Sequence, residues 1–195
     1  MRRSANPGAR GAAAAGVAVI NTALVAPLLA IIVLGIAETA FLMKDNVALT
    51  SLVRESGRAA ASSLAAQAGD APRITDVASV ISETDPALAK GSVRELWIYK
   101  ADSAGFPAGN RGSDHFGRCE TECLAYTWNV ATRTFDFAGG DWDAADIDAC
   151  SDDVGVYMKA SHDLLTGVFS QGIDISKHET FHLSPTGADC ALVTS

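Results

Sequence analysis

The chain has no phosphate-binding glycine loop, no nucleotide-binding fingerprint and no serine, histidine and aspartate arrangement of the hydrolase kind. The common routes to catalysis are therefore not written in it, and neither an enzyme nor a cofactor is expected. It is also short of base. Fifteen lysines and arginines face 23 acids, for a formal charge of -8. An acidic exterior does not bind phosphate, which excludes nucleic acid as a partner. The acids crowd between residues 141 and 153, as Asp141, Asp143, Asp146, Asp148, Asp152 and Asp153. This run lacks the Asp-x-Asp-x-Asp-Gly spacing and closing glutamate of a calcium loop, and reads as a solvated acidic loop.

The most telling absence is of charge. No charged residue occurs from Ala12 to Ala37, and Val17 to Ala37 makes 21 residues, roughly 32 Å of helix at 1.5 Å per residue. That length spans a bilayer. Arg2, Arg3 and Arg10 precede it without an acid, and Lys44 alone follows closely. The positive-inside rule places the N-terminus in the cytoplasm and everything after Glu38 outside the cell membrane, as a single-pass protein. A cleaved secretory signal ending at Gly35-Ile36-Ala37 is the alternative, against which stands the length of the apolar run. Pro27 lies mid-span, a defect that membrane helices tolerate. Glu38 reads either as a carboxylate at the outer interface or as one that pairs with a basic group on a neighbouring subunit.

Helix character continues beyond the span. From Phe41 to Ala68 only Gly57 is a breaker, and Val47, Leu49, Leu52, Val53, Ala60, Leu64 and Ala65 recur mostly at helical spacing. An amphipathic helix of this kind needs a partner for its apolar stripe. After Gly69-Asp70-Ala71-Pro72 comes a short helix candidate, Ile74 to Thr84. Val93 to Lys100, Leu124 to Val130, Val154 to Ser161 and Ile173 to Leu183 read as strands, separated by Gly, Asp and Asn clusters typical of loops. The expected fold class is α+β, a long N-terminal transmembrane helix continuing into a small antiparallel sheet domain. The expected division is a cytoplasmic leader over 1–16, the transmembrane helix over 17–40, its amphipathic continuation over 41–70 and an extracytoplasmic domain over 71–195.

Four cysteines, Cys119, Cys123, Cys150 and Cys190, all follow the membrane segment. In an oxidising compartment they most simply form two disulfides, with three pairings possible. A bridge from Cys119 or Cys123 to Cys150, pinning the acidic loop, is the preferred one. Cys119-x-x-x-Cys123 without a second close pair is a poor zinc knuckle, and no metal is expected. His178-Glu179-Thr180-Phe181-His182 fits the zinc-protease pattern His-Glu-x-x-His, which works on a helix. Its flanks read extended, and four residues along a strand separate the imidazoles by roughly 13 Å, too far to share an ion.

The string from Gly16 through Pro27 and Gly35 to Glu38 resembles the N-terminus of the TadE-like family, minor pseudopilins of the tight-adherence (Flp-type) pilus. Asn46 to Ala60, with Arg54-Glu55-Ser-Gly57-Arg58, resembles the family's continuation. Val154-Gly155-Val156-Tyr157-Met158-Lys159, followed by His162-Asp163 and Thr166-Gly167-Val-Phe169, is similar to a second family block. The resemblance implies a pilin-like arrangement of helix on sheet, a non-enzymatic role in pilus assembly, and pilin and other pseudopilin subunits as partners beside the membrane. It also implies a prepilin peptidase that cleaves between Gly16 and Val17. In the family an acid stands five residues after that glycine. Here the position is Asn21, whose amide can hydrogen-bond a neighbour's amine but cannot cancel its charge. A register through Arg10-Gly11 places Gly16 there and restores no acid. A membrane-anchored extracellular binding domain without a filament role is the alternative function.

Overall fold

The computed structural model describes residues 7–65, 92–109, 114–142, 152–164 and 172–183. Their elements are helix α1 (Pro7–Ala65) and strands β1 (Val93–Ala101), β2 (Cys123–Asn129), β3 (Thr134–Asp141), β4 (Asp153–His162) and β5 (Ile173–His182). The chain divides into two compact units, 1–42 and 43–195. The expected α+β class is what is found: one long apolar N-terminal helix, then a five-stranded antiparallel sheet of order β3-β2-β1-β4-β5.

In the second unit the helix buries one stripe. Asp45, Ala48, Leu49, Leu52, Val53, Ser56, Gly57 and Ala60 are buried, at the three- and four-residue spacing of a helix face. Leu49, Leu52 and Val53 are wholly enclosed with Leu96 and Ile98 of β1 and Val154, Val156 and Met158 of β4. Each such aliphatic side chain contributes about 1.5–3 kcal/mol by leaving water. Val47, assigned to the stripe from the sequence, is 67 % exposed. It lies two residues from Leu49, some 200° around the helix, and so falls outside the buried arc. Leu64 and Ala65 have side chains outside the described residues. At Gly57 a β-carbon would overlap the Phe181 ring, so the glycine lets α1 approach β5 closely.

Strands β1 and β4 lose the alternation of a half-exposed strand because both faces of the sheet are covered. The segment after β1 folds back over the face away from α1. Ala101 bridges to Pro107, Ala108 N donates to Lys100 O, and Lys100 N donates to Glu122 O. Phe116 is thereby stacked on Tyr157 at 4.2 Å, with Trp97 and Tyr99 edge-on to it. Tyr99 is fully buried and donates to Gly105 O at 3.0 Å. Its burial, with the charge of Asp102 beside it, raises the phenol's pKa well above the ordinary value.

Four of the five strands fall where the sequence places them. The fifth, β3, lies in a stretch read as loop. Ala125 pairs Gly139 and Tyr126 pairs Phe137, so Ala138 is an extra residue in a β-bulge. Gly139 and Gly140 mask the strand in the sequence, yet Gly140 has a structural reason. Its φ is +98°, and a side chain there would meet the Cys123 carbonyl and the Cys119 sulfur. The helix candidate Ile74 to Thr84 lies outside the described residues.

Candidate functional site: the exposed apolar helix and the clasps of the sheet domain

Residues 19–36 are exposed on every side of α1, including Leu24, Leu28, Leu29, Ile31, Ile32 and Val33. A surface helix of a soluble domain buries a stripe; this one buries none, so its proper surroundings are hydrocarbon or other apolar helices. Val19–Ala61 contains the one described helix segment long and apolar enough to cross a membrane, and it could do so once. Gly16 and Val17 lie within the helical backbone of α1, with side chains outside the described set. Asn21, Pro27 and Gly35 are exposed and Glu38 is half-buried. The helix runs through Pro27 without interruption, although the proline cannot donate to the Ala23 carbonyl one turn back. Thr39 donates to Gly35 O at 2.8 Å, within the helix itself.

Within the second unit α1 is held to the sheet through polar clasps as well as the core. His162 Nδ1 lies 2.6 Å from Asp45 Oδ2, with both residues buried, and Arg54 pairs with Glu179 at 3.2 Å. A third clasp joins strands. Lys100 Nζ lies 3.0 Å from Asp152 Oδ2 and 4.0 Å from Glu122 Oε1. The sequence names none of these pairings. His162 stands in the second family-like block, but its partner is 117 residues away and no local pattern connects them.

Three acids read as part of a solvated loop are otherwise placed, and of these Asp141 ends β3 opposite Cys123. Asp152 is 8 % exposed and paired with Lys100; Asp153 begins β4 and meets His182 Nδ1 at 2.8 Å. Residues 143–151 lie outside the described set.

The His-Glu-x-x-His sequence lies on β5, as its extended flanks predict. His178 sits among Phe106 and Phe116 on the face away from α1, Glu179 reaches Arg54 on the helix side, and His182 meets Asp153. The three side chains thus serve three separate contacts. Among the described residues there is no group of three or more His, Cys, Asp or Glu side chains placed to hold a metal ion.

Desolvation, partly opposed by the Glu179 charge and aided by repulsion from His115 and Lys177, lowers the His178 pKa below its ordinary value. Folding therefore favours the neutral ring. As pH falls through the ordinary histidine range the unfolded chain takes up the proton first, and stability drops until the folded pKa is reached. His178→Asn is expected to shrink the stability lost between pH 7.5 and 5.5. Urea unfolding of both proteins at the two pH values checks this, and an unchanged difference contradicts it. The effect is small because the side chain is exposed.

Cys119 and Cys123 are disulfide-bonded to each other. This corrects the expected bridge from either of them to Cys150. The positive φ of Glu122 turns the chain tightly enough for the four-residue loop to close, a turn that spacing alone does not disclose. Cys150 and Cys190 lie outside the described residues. The bond fastens the segment carrying Phe116 to the start of β2, beside the buried Cys123, Trp97, Tyr99 and Tyr157. Without reductant, trypsin is expected to release residues 119–133 as one internally bridged peptide, two mass units lighter than its reduced form. A peptide joined to residues 134–159, which carry Cys150, contradicts the pairing.

With this geometry in hand, comparison with known proteins adds one finding. The family model described as TadE-like protein matches residues 16–58. The resemblance read from the sequence therefore holds over that segment, which takes in the exposed apolar helix and most of the buried stripe. No curated protein and no solved structure matches the chain.

Proposed function

From a TadE-like segment at residues 16–58, and hence a Tad pilus-related protein, we propose that the chain is a minor pseudopilin of a tight-adherence pilus. Its apolar helix packs with pilin and other pseudopilin helices in the cell membrane. The N-terminus faces the cytoplasm, and the sheet domain, outside, helps to start, cap or position the filament. The role is one of assembly, not catalysis. A prepilin peptidase removes residues 1–16, leaving Val17 at the new terminus.

One observation carries this reading. The family match coincides with a helix whose first part exposes apolar side chains on all sides and whose second part is fixed to a sheet through Leu49, Leu52 and Val53. Such a helix positions a folded head at a membrane surface and leaves its own flank open to neighbouring helices. The charge bias of Arg2, Arg3 and Arg10 supports the orientation.

Photo-crosslinking groups at Val33 and Ile36, in cells that assemble the pilus, are expected to yield adducts with a small pilin or another pseudopilin. Deletion of the chain is expected to reduce piliation. Absence of adducts together with normal piliation contradicts the filament role and favours the anchored binding domain. Intact mass decides processing separately: a membrane form that retains Met1 to Gly16 rules out cleavage there.

A further inference from the structure

The disulfide of the sheet domain joins cysteines only four residues apart. A loop so short takes little freedom from the unfolded chain, so the bond adds less to global stability than one across a long loop. What it fixes is local. Residues 102–108 are tied down through the backbone: Ala101 bridges to Pro107, Ala108 N donates to Lys100 O, and Asp102 Oδ1 accepts from Ala104 N and Phe106 N. Residues 114–119 are held differently. Their backbone bond, Gly117 N to Asp114 O, is internal, and they meet the sheet through the Phe116 ring on Tyr157 and through the disulfide.

The two sulfurs are unequally placed. Cys123 is 1 % exposed at the start of β2, whereas Cys119 is half-buried. The Cys119 sulfur lies against Gly140 of the edge strand β3, where a β-carbon would come within 2.5 Å of it. Thiol–disulfide exchange needs access to one sulfur of the bond, and Cys119 gives it. The rings beneath Phe116 form an apolar cluster of their own, with Trp97, Tyr99 and Tyr157 beside Cys123. The core between α1 and the sheet is a separate cluster on the opposite face, with Leu52, Val53, Leu96 and Val156. One face can therefore open while the other stays packed, which is the condition for local rather than global unfolding.

We propose that the Cys119–Cys123 bond is a redox latch on residues 114–119, opened by a protein dithiol outside the cytoplasm. A thiolate of the dithiol attacks the Cys119 sulfur, the S–S bond breaks, and Cys123 leaves as a thiolate that takes up a proton. The second thiol of the dithiol, having given up its proton, attacks its partner sulfur in the mixed disulfide, and Cys119 leaves in the same way. Two electrons and two protons pass to the cysteines, and the dithiol becomes a disulfide. Phe116 then loses the covalent support of its ring contacts, and its segment lifts from Trp97 and Tyr157. The reverse exchange closes it. The outside placement of the domain supplies the compartment, and no filament role is required.

The test uses the purified full chain in detergent, with dithiothreitol as the dithiol. Reduction is expected to speed trypsin cleavage after Arg118 by roughly tenfold or more, because cleavage follows the population of the opened segment. The amides of β1 and β4 are expected to keep their protection from hydrogen exchange. Cys119→Ser combined with Cys123→Ser, studied without reductant, separates this bond from Cys150 and Cys190 and is expected to show the same fast cleavage and the same protection. A bond that resists dithiothreitol until the chain is unfolded overturns the proposal. So does unchanged cleavage at Arg118 in the reduced chain or the double variant. Loss of protection in β1 and β4 along with the cleavage overturns it too, since the bond is then a staple of the whole domain.

Discussion

Gly155→Leu is expected to abolish the folded sheet domain. A β-carbon at position 155 would overlap the Tyr99 ring across the β1–β4 pair, where the two residues are in direct register. A solvent-exposed ring could swing aside. Tyr99 cannot: it is fully buried, its hydroxyl is held by the Gly105 carbonyl, and Phe116 lies edge-on against it. Overpacking one methyl into such a site costs about 1–3 kcal/mol, so Gly155→Ala already consumes much of a small domain's stability of about 5–15 kcal/mol. Leucine adds three more carbons. Near-ultraviolet circular dichroism of the detergent-solubilised chain checks this, since Trp97, Tyr99 and Tyr157 lie beside the overlap. Gly35→Ala is the control, with nothing within 4 Å of the added carbon, and is expected to leave that spectrum unchanged. A native spectrum for Gly155→Leu contradicts the packing described.

The second large effect concerns the membrane. Leu29 and Val33 are exposed on the apolar helix. An arginine near the centre of a span costs about 2.5–3.5 kcal/mol. The double change Leu29→Arg and Val33→Arg therefore opposes insertion by about 5–7 kcal/mol, several orders of magnitude in the inserted fraction. Alkaline carbonate is expected to extract the double variant and leave the unmodified chain in the pellet. Retention of both in the pellet means that another part of the molecule holds it to the membrane.

The sequence discloses those parts of this fold that repeat locally. The helix was legible because the apolar run and the three- and four-residue spacing that follows are local signals. Strands β1, β2, β4 and β5 were legible from their aromatic and β-branched residues. Strand β3 was not, since Gly139 and Gly140 are punctuation in a sequence, although in space Gly140 fits against Cys123 and Cys119. The polar clasps were hidden for a different reason. Asp45 with His162, Arg54 with Glu179 and Lys100 with Asp152 each join residues far apart in the chain. Only the packed tertiary structure brings them together. Val47 shows that an apolar residue is not by itself part of a stripe: two residues before Leu49 it is on the far side of the helix from the buried arc. Asn21, Pro27 and Gly35 were legible as exceptions in an apolar run.

The central proposal is that one apolar helix carries the chain through the membrane once and sets the sheet domain outside. Protease added to spheroplasts that contain the chain with an N-terminal epitope tests it most directly. The account predicts digestion of the domain after Glu38, with the epitope and span surviving as a protected membrane fragment. An intact chain under the same protease, or a domain recovered in the medium before protease is added, contradicts it.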